Sequence, residues 1–250
     1  MKPLLLDLCC CAGGATKGYQ RAGFHVVGGD ITAQPNYCGD AFIHADALLI
    51  LDRLIHANGS TPHGRPVIIH VSPPCQAAST LTVGTNSSQG WGARHRQIIP
   101  RLRQLLHATG LPYVIEQPSN HGGIIRTDLT LCADMFDTGP PPWVQRHRDF
   151  EIYGFIVAQP AHPIGPVKGH RGYVRAYRGR HGDRPGFFRD GPYVAAYGDG
   201  GGKATVAEMQ HALGIDWTDV REELTEAIPP VYTEYVGAAF LARQDQKVAA

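Results

Sequence analysis

Apolar runs and amphipathic segments alternate along the first half of the chain. Four runs have the length and apolar content of buried strands, at 3–8, 25–30, 66–71 and 113–116. The intervals show helical periodicity, at 14–22, 47–57 and 94–109. Strands that alternate with helices predict an α/β fold with a doubly wound parallel sheet, whose ligands bind at the carboxyl ends of the strands.

The regular alternation stops near the Gly139-Pro140-Pro141-Pro142 turn. A further strand is predicted at 150–153, and helices are predicted at 205–213, 222–227 and 232–243. Residues 154–203 carry Gly, Pro and Arg without clean periodicity, which indicates an inserted, loop-rich lobe. We therefore predict a main domain at 1–153, a small lobe at 154–203, and a C-terminal segment at 204–250 that packs back on the main domain.

The composition fits one α/β domain with an elaboration. With 250 residues, of which 43% are hydrophobic, the chain can bury a large core. The 30 glycines and 19 prolines then indicate many turns rather than disorder. The formal net charge of +1 gives no global field that would attract nucleic acid, so such a partner must be argued from local charge.

The six cysteines form no CxxC pair and no zinc-type spacing with histidine; they stand at 9, 10, 11, 38, 75 and 132. The chain shows no secretory signature and no apolar run of the about 18 residues that a membrane span needs. We expect free thiols in a cytoplasmic protein that uses neither a metal nor a membrane.

A Gly-rich turn after the first strand is a candidate cofactor loop. Gly13-Gly14 opens the first helix and lets the backbone approach a ligand, although a plain tight turn is the alternative. Asp30 ends the second strand, where an acidic residue typically binds ribose hydroxyls. Asp46 is suited to accept from an exocyclic amine, or is only a helix N-cap. The absence of a full G-x-G-x-x-G pattern disfavours a nicotinamide cofactor.

The segment Ser72-Pro73-Pro74-Cys75-Gln76 follows the third of these apolar strands. Two proline rings stiffen the turn and hold the thiol in place, as a nucleophilic cysteine requires. The alternative is a buried structural cysteine, which is the interpretation we keep for the other five.

Glu116 ends the fourth strand, where a partly desolvated carboxyl group can stay protonated and donate to a ring nitrogen. Arg146-His147-Arg148 precedes the strand at 150–153, and alternation places both arginines on one face. Two guanidinium groups there suit an anion, a carbonyl oxygen or a phosphate. A surface carboxylate and a solvated basic edge are the alternatives. A thiol and a carboxylate over a nucleotide-type cofactor indicate covalent attack on a heterocycle.

A basic and aromatic stretch lies inside the predicted lobe. Between 168 and 190, seven Lys and Arg residues outnumber two Asp residues, and four aromatic residues are interleaved. This mixture suits phosphate contact and base stacking, and a solvated loop is the alternative.

The ordered set of motifs resembles the DNA (cytosine-5) methyltransferase family, in the compact form that phages carry, over nearly the whole chain. The matching segments are Asp7-Leu8 with Ala12-Gly13-Gly14, Asp30, Asp46, Pro74-Cys75-Gln76, Glu116, Arg146 with Arg148, and Ala227-Ile228-Pro229-Pro230. The chain departs from the family pattern in having Cys9 for Phe, Cys11 for Gly, Gln117 for Asn, Val144 for Gln, and Thr225-Glu226 for Gly-Asn.

The resemblance implies a Rossmann-like S-adenosylmethionine-dependent methyltransferase sheet with a small target-recognition lobe. It implies catalytic roles for Cys75, Glu116, Arg146 and Arg148. It implies that S-adenosylmethionine is bound by Asp7, Cys9, Ala12, Gly13, Gly14, Asp30, Ile31, Asp46, Ala47, Pro73, Glu226 and Ala227. It implies contact with double-stranded DNA through Gln76, Arg171, Arg175, Arg178, Arg180 and Arg184. A monomer in the cytoplasm of a bacterial or phage-infected cell is expected.

In the implied reaction, Cys75 adds to C6 of a flipped-out cytosine while Glu116 donates to N3 and Arg148 holds the O2 carbonyl. The C5 atom then takes the methyl group. Three alternatives stay open: a tRNA cytosine methyltransferase of the same fold, a nucleic-acid-binding protein with weak catalysis, and a transferase of a modified alkyl group. A nicotinamide enzyme is more distant, because it leaves Cys75 and Glu116 unexplained.

Overall fold

The structure is a computed structural model that describes residues 2–75, 98–119, 122–162, 193–194, 196 and 204–249, with backbone only at 245–249. The strands are β1 (Leu4–Leu8), β2 (His25–Asp30), β3 (Ala41–His44), β4 (Pro66–Val71), β5 (Tyr113–Pro118), β6 (Leu129–Leu131) and β7 (Arg148–Tyr153). The helices are α1 (Gly14–Ala22), α2 (Ala47–His56), α3 (Ile99–Ala108), α4 (Val206–Leu213), α5 (Arg221–Glu226) and α6 (Pro230–Ala249).

Seven strands of the described residues form one sheet in the order β3-β2-β1-β4-β5-β7-β6. Strands β1 to β5 run parallel, which confirms the predicted doubly wound α/β arrangement. Strand β7 extends this sheet in the other direction, because it pairs antiparallel with both β5 and β6. The short strand β6 was not predicted, because three residues are too few to show a period.

Side chains of the central strands alternate between two cores, one on each face of the sheet. Leu4, Leu6 and Leu8 of β1 pack toward α2 and α3, whereas Leu5 packs toward α1 and α6. The same alternation directs the polar residues of β1, β4 and β5 to the α1 face. That face therefore receives Asp7, His70 and Glu116, all of them buried.

Some element boundaries differ from the sequence predictions. Helix α3 begins at Ile99 with Pro100 in its first turn, so this proline marks a helix start and not a kink. Helix α6 begins at Pro230, two residues before its predicted start, because proline suits the first helical position. The predicted helical residues 94–97 and most of the lobe at 154–203 lie outside the described residues. Among the described helices, none is long and apolar enough to cross a membrane.

Helix α6 packs directly against α1 through glycine. A Cβ atom added at Gly18 would lie 2.0 Å from the carbonyl oxygen of Pro230 and 2.1 Å from Thr233 Oγ1. Thr233 Oγ1 also donates to the carbonyl oxygen of Ala15 at 2.7 Å. The C-terminal helix is thereby held on the helix that the Gly-rich turn opens.

We expect Gly18→Ala to lower the free energy of unfolding by about 2–4 kcal/mol, because the added methyl group has no space between the two helices. Denaturant unfolding followed by circular dichroism measures this loss. Gln20→Ala on the same helix should change stability by less than about 0.5 kcal/mol. Equal losses from the two substitutions would contradict the close α1–α6 contact.

Candidate active site

The turn after β1 is fixed against β2 by backbone hydrogen bonds. Cys9 N donates to the carbonyl oxygen of Gly29 at 2.7 Å, and Gly13 N donates to that of Cys10 at 2.9 Å. Gly13 has a φ of 93°, and the non-glycine residues Cys9 and Cys11 have φ values of 55° and 46°. Residues other than glycine rarely adopt this left-handed backbone conformation, so Cys9 and Cys11 are strained. Backbone strain of this kind is concentrated at functional sites.

Asp7 lies buried beneath this turn and is only partly satisfied. Thr16 Oγ1 donates to Asp7 Oδ2 at 2.5 Å, and Tyr37 Oη lies 3.1 Å from Thr16 Oγ1. Asp7 Oδ1 is buried without a hydrogen-bond partner among the described residues. Burial raises the pKa of Asp7 to about 7, against the hydrogen bond from Thr16. An N–H donor or a cation on a ligand would complete this site.

Acidic and apolar groups follow the ends of β2 and β3. Asp30 Oδ2 accepts from Cys11 N at 3.1 Å, and Asp30 Oδ1 accepts from Thr32 N at 2.9 Å. Ile31 is apolar yet 67% exposed. Asp46 caps α2 through Oδ1, which leaves its second carboxylate oxygen available to a ligand. The pairing of β2 with β3 brings these strand ends side by side.

The C-terminal segment closes over the Gly-rich turn. A Cβ atom at Gly14 would lie 2.4 Å from the carbonyl oxygen of Ile228 and 3.2 Å from the Cβ of Ala227. Cys11 Sγ lies 3.9 Å from Glu226 Oε2. Residues that the sequence resemblance assigned to one cofactor site, from both ends of the chain, therefore meet in the structure.

Two aromatic residues beside this turn were missed by the sequence analysis. Trp217 Nε1 donates to the carbonyl oxygen of Ala12 at 2.8 Å, and the Lys17 ammonium group lies 5.2 Å from the centre of the Trp217 ring. The Tyr37 ring packs so closely on Gly28 that an added Cβ would lie 2.3 Å from its Cζ. Both aromatic residues lie outside the regular elements, where no period marks an inward-facing side chain.

We expect Asp7→Asn to stabilise the protein at pH 8 but not at pH 4. A carboxyl group whose pKa is raised in the folded state costs stability as the pH rises from its unfolded value of 3.8 to about 7. The expected gain at pH 8 is about 1–4 kcal/mol. Thermal unfolding of both proteins at the two pH values measures it, and a gain that is equal at both would contradict the buried, protonated state.

Three candidate catalytic residues lie together at the ends of neighbouring strands. Cys75 follows β4, Glu116 lies on β5, and Arg148 begins β7. Arg148 Nε is 2.8 Å from Glu116 Oε1, and both side chains are largely buried. The β5–β7 register pairs Pro118 with Arg148, so the arginine lies on the same face as Glu116.

Burial and charge set the protonation of this cluster. Burial raises the pKa of Cys75, and the Glu116 carboxylate raises it further, whereas Arg148 opposes both effects. Burial also raises the pKa of Glu116, against Arg148, Arg146 and a hydrogen bond from Ser72. A proton on Glu116 therefore favours a thiolate on Cys75.

Arg146, the fourth residue to which the resemblance gave a catalytic role, is buried and donates to two backbone carbonyl oxygens. Its Nη1 donates to the carbonyl oxygen of Ala196 at 2.8 Å, and its Nη2 donates to that of Thr225. Tyr232 Oη donates to the carbonyl oxygen of Arg146 at 2.5 Å. Burial, and next the Arg148 charge, lower the pKa of Arg146 to about 9. This side chain joins the start of β7 to the C-terminal segment.

Further hydrogen bonds support the cysteine turn and Glu116. Gln117 Nε2 donates to the carbonyl oxygen of Pro73 at 2.7 Å, which ties β5 to the turn. On β4, His70 Nε2 lies 2.9 Å from Ser72 Oγ, and His70 Nδ1 lies 3.0 Å from Tyr19 Oη. Sequence alone offered no signal for this buried histidine, because its partner Tyr19 lies on a different element.

Six predicted DNA contacts lie outside the described residues: Gln76, Arg171, Arg175, Arg178, Arg180 and Arg184. No metal was expected from the sequence. Within the described part of the chain, Cys132, His147 and His162 bring one ligand atom each within 4.8 Å of one another. These three residues include His147 but neither Arg146 nor Arg148, and methyl transfer requires no metal at this position.

No protein-family model and no curated protein sequence matches the chain. Solved structures do. The Entamoeba histolytica methyltransferase EhMeth is similar with a TM-score of 0.59 at 10% identity, over 98% of this chain and 99% of that one. A protein of an E. coli prophage, assigned as a DNA modification methyltransferase, gives 0.56 at 15% identity over 98% and 100%. The S. pombe Dnmt2 methyltransferase gives 0.55 at 13% identity over 98% and 100%.

The fold is that of the S-adenosylmethionine-dependent methyltransferases. The chain and the three similar proteins match along almost their full lengths. At such low identity the likeness concerns the fold, so the chemistry has to be argued from the residues of the site.

Proposed function

We propose that this protein transfers a methyl group from S-adenosylmethionine to C5 of cytosine in DNA. The observation that carries the proposal is the contact of Glu116 with Arg148, at the strand end beside the Cys75 turn. These three groups are those needed to add a nucleophile to a pyrimidine ring and to offset the resulting charge. The assignment of the similar prophage protein to DNA modification supports DNA as the substrate.

The residues around the Gly-rich turn fit the cofactor. Asp30 and the second oxygen of Asp46 offer acceptors for ribose hydroxyls and an exocyclic amine, and the exposed Ile31 offers an apolar surface to a ring. The buried Oδ1 of Asp7 offers an acceptor for an N–H donor or a cation. When bound, S-adenosylmethionine supplies an electrophilic methyl group.

The reaction begins with addition to the ring of a flipped-out cytosine. The Cys75 thiolate forms a bond to C6, and the C5–C6 electron pair moves onto the ring as Glu116 gives its proton to N3. Arg148 stays between the Glu116 carboxylate and the O2 carbonyl and stabilises the charge on both. The C5 atom thereby becomes nucleophilic.

The later steps restore the aromatic ring and the enzyme. The C5 atom takes the methyl group, N3 returns its proton to Glu116, and the C5 proton leaves to solvent as the Cys75–C6 bond breaks. The net change is replacement of the C5 hydrogen by a methyl group, with release of one proton. While Glu116 holds its proton, no carboxylate charge raises the pKa of Cys75, so the protonated acid and the attacking thiolate are compatible.

The measurement that tests this function is mass spectrometry of nucleosides from duplex DNA, and in parallel from tRNA, after incubation with the protein and S-adenosylmethionine. We expect 5-methylcytosine in DNA. The same base in tRNA alone would move the proposal to an RNA substrate, and a base of another mass would indicate a modified alkyl group. No new base in either nucleic acid would contradict methyl transfer.

A further inference from the structure

We propose that Tyr19 and His70 are positioning residues that fix the Ser72 hydroxyl as a hydrogen-bond donor to Glu116. The inference rests on the proposed function in so far as Glu116 is the proton donor. A row of side chains runs from helix α1, through strand β4, to the candidate catalytic carboxyl group on β5. None of the three residues was singled out by its sequence context as a partner of Glu116.

Strand geometry accounts for the alignment of this row. His70 and Ser72 are two positions apart on β4 and its continuation, so they project from the same face of the sheet. The β4–β5 register pairs His70 with Val114 and Val71 with Ile115, which places Ser72 beside Glu116. The Ser72 hydroxyl is therefore the neighbour that can donate to the Glu116 carboxyl group, and its effect is to lower the pKa of Glu116.

The direction of the hydrogen bonds follows from the groups available. Burial lowers the pKa of His70 to about 3, so its ring is neutral and carries one proton. Tyr19 is fully buried, and His70 Nδ1, at 3.0 Å, is the acceptor that the described structure offers to its O–H group. A proton on Nδ1 would leave this O–H without an acceptor, so Nδ1 accepts and Nε2 carries the proton.

The Ser72 hydroxyl is then committed to Glu116. His70 Nε2–H donates to Ser72 Oγ at 2.9 Å, and the Ser72 O–H is left to donate to the Glu116 carboxylate. The charged groups that face Glu116 are Arg148 and Arg146, which favour its ionised form, and Asp149, which disfavours it. Weaker couplings join Glu116 to Cys75 and to Asp7.

The consequence is a limit on how far burial can raise the pKa of Glu116. A donor to the ionised carboxylate lowers that pKa, so loss of the Ser72 donor must raise it. A proton donor is active while it is protonated, and its activity falls above its pKa. Removal of the donor therefore moves the alkaline limb of the rate profile to higher pH.

The test uses Ser72→Ala, Tyr19→Phe and the double variant of the full chain. Carbon-13 NMR titration of the Glu116 carboxyl group reads its pKa without any need for activity, and long-range ¹H–¹⁵N spectra read the His70 tautomer. We expect Ser72→Ala to raise the pKa of Glu116 by about half a unit to one unit. Tyr19→Phe should shift it in the same direction, and the double variant should go no further than Ser72→Ala. The alkaline limb of the pH–rate profile of methyl transfer should shift to higher pH together with the pKa of Glu116.

Tyr235→Phe is the matched control, because the Tyr235 hydroxyl donates to the carbonyl oxygen of Ala158 at 2.9 Å, away from this row. A wild-type His70 protonated on Nδ1, or a Tyr19→Phe variant whose Glu116 pKa equals that of the control, would overturn the inference. Absence of methyl transfer in the wild type would refute the proposed function instead, and the NMR readouts would still decide the inference.

Discussion

Replacement of Cys75 by Ala should abolish methyl transfer, with a loss of at least about 10³-fold in kcat/KM. The loss follows because no other described side chain in the cluster can form a carbon bond at C6; Glu116 and Arg148 can only move a proton or stabilise charge. The fold should survive, since Cys75 is only partly buried. Initial rates with radiolabelled S-adenosylmethionine and duplex DNA measure the effect.

Cys132→Ala is the matched cysteine control. Cys132 is buried in the core and is not one of the three groups at the strand ends. We expect this variant to keep methyl transfer within about tenfold of the wild type and to lose some stability, as deletion of a buried atom does. Comparable losses of activity in both variants would show that Cys75 has no special role.

Replacement of Glu116 by Gln should lower kcat by about 10²–10⁴-fold, the usual contribution of a positioned acid. The amide keeps the shape of the carboxyl group and can accept from Arg148, but it cannot give a proton to N3 and take it back. Single-turnover rates at several pH values measure the loss. The variant should also lose the alkaline limb that Glu116 imposes on the wild type.

Glu151→Gln offers a second buried carboxylate on the same sheet as the control. Its carboxylate pairs with Arg103 at 2.7 Å and accepts from Arg126 N at 3.0 Å. Burial raises the pKa of Glu151, but these contacts outweigh it and leave the pKa lowered. We expect this variant to lose stability above about pH 4, where the ionised form is favoured in the folded state, and to keep its chemistry. A variant of Glu116 that behaves like this control would remove Glu116 from the mechanism.

The strand-end positions of the site could be predicted because they depend on local pattern. Apolar runs mark β1, β2, β4 and β5, and in a parallel sheet their carboxyl ends meet at one edge. That rule, together with the turns beside the strands, predicts the positions of Asp7, Asp30, Cys75 and Glu116. The contact of Gly14 with Ala227 and Ile228 was expected only from the order of the motifs.

The rest depends on contacts between distant segments, which leave no local pattern. His70 is one polar residue in an apolar strand, and its partner Tyr19 is 51 positions away. Trp217 reaches Ala12 across 205 positions. The role of Arg146 in holding the carbonyl oxygens of Ala196 and Thr225 likewise depends on how the C-terminal segment packs.

The most direct test of the central claim is trapping of the Cys75–C6 bond. A duplex in which 5-fluorocytosine replaces cytosine lacks the C5 hydrogen that must leave, so an adduct that has been methylated cannot release the enzyme. With S-adenosylmethionine present, we predict that mass spectrometry finds the modified nucleotide on the peptide that contains Cys75. Formation of 5-methylcytosine in ordinary DNA without this adduct, or an adduct that persists in Cys75→Ala, would contradict the account.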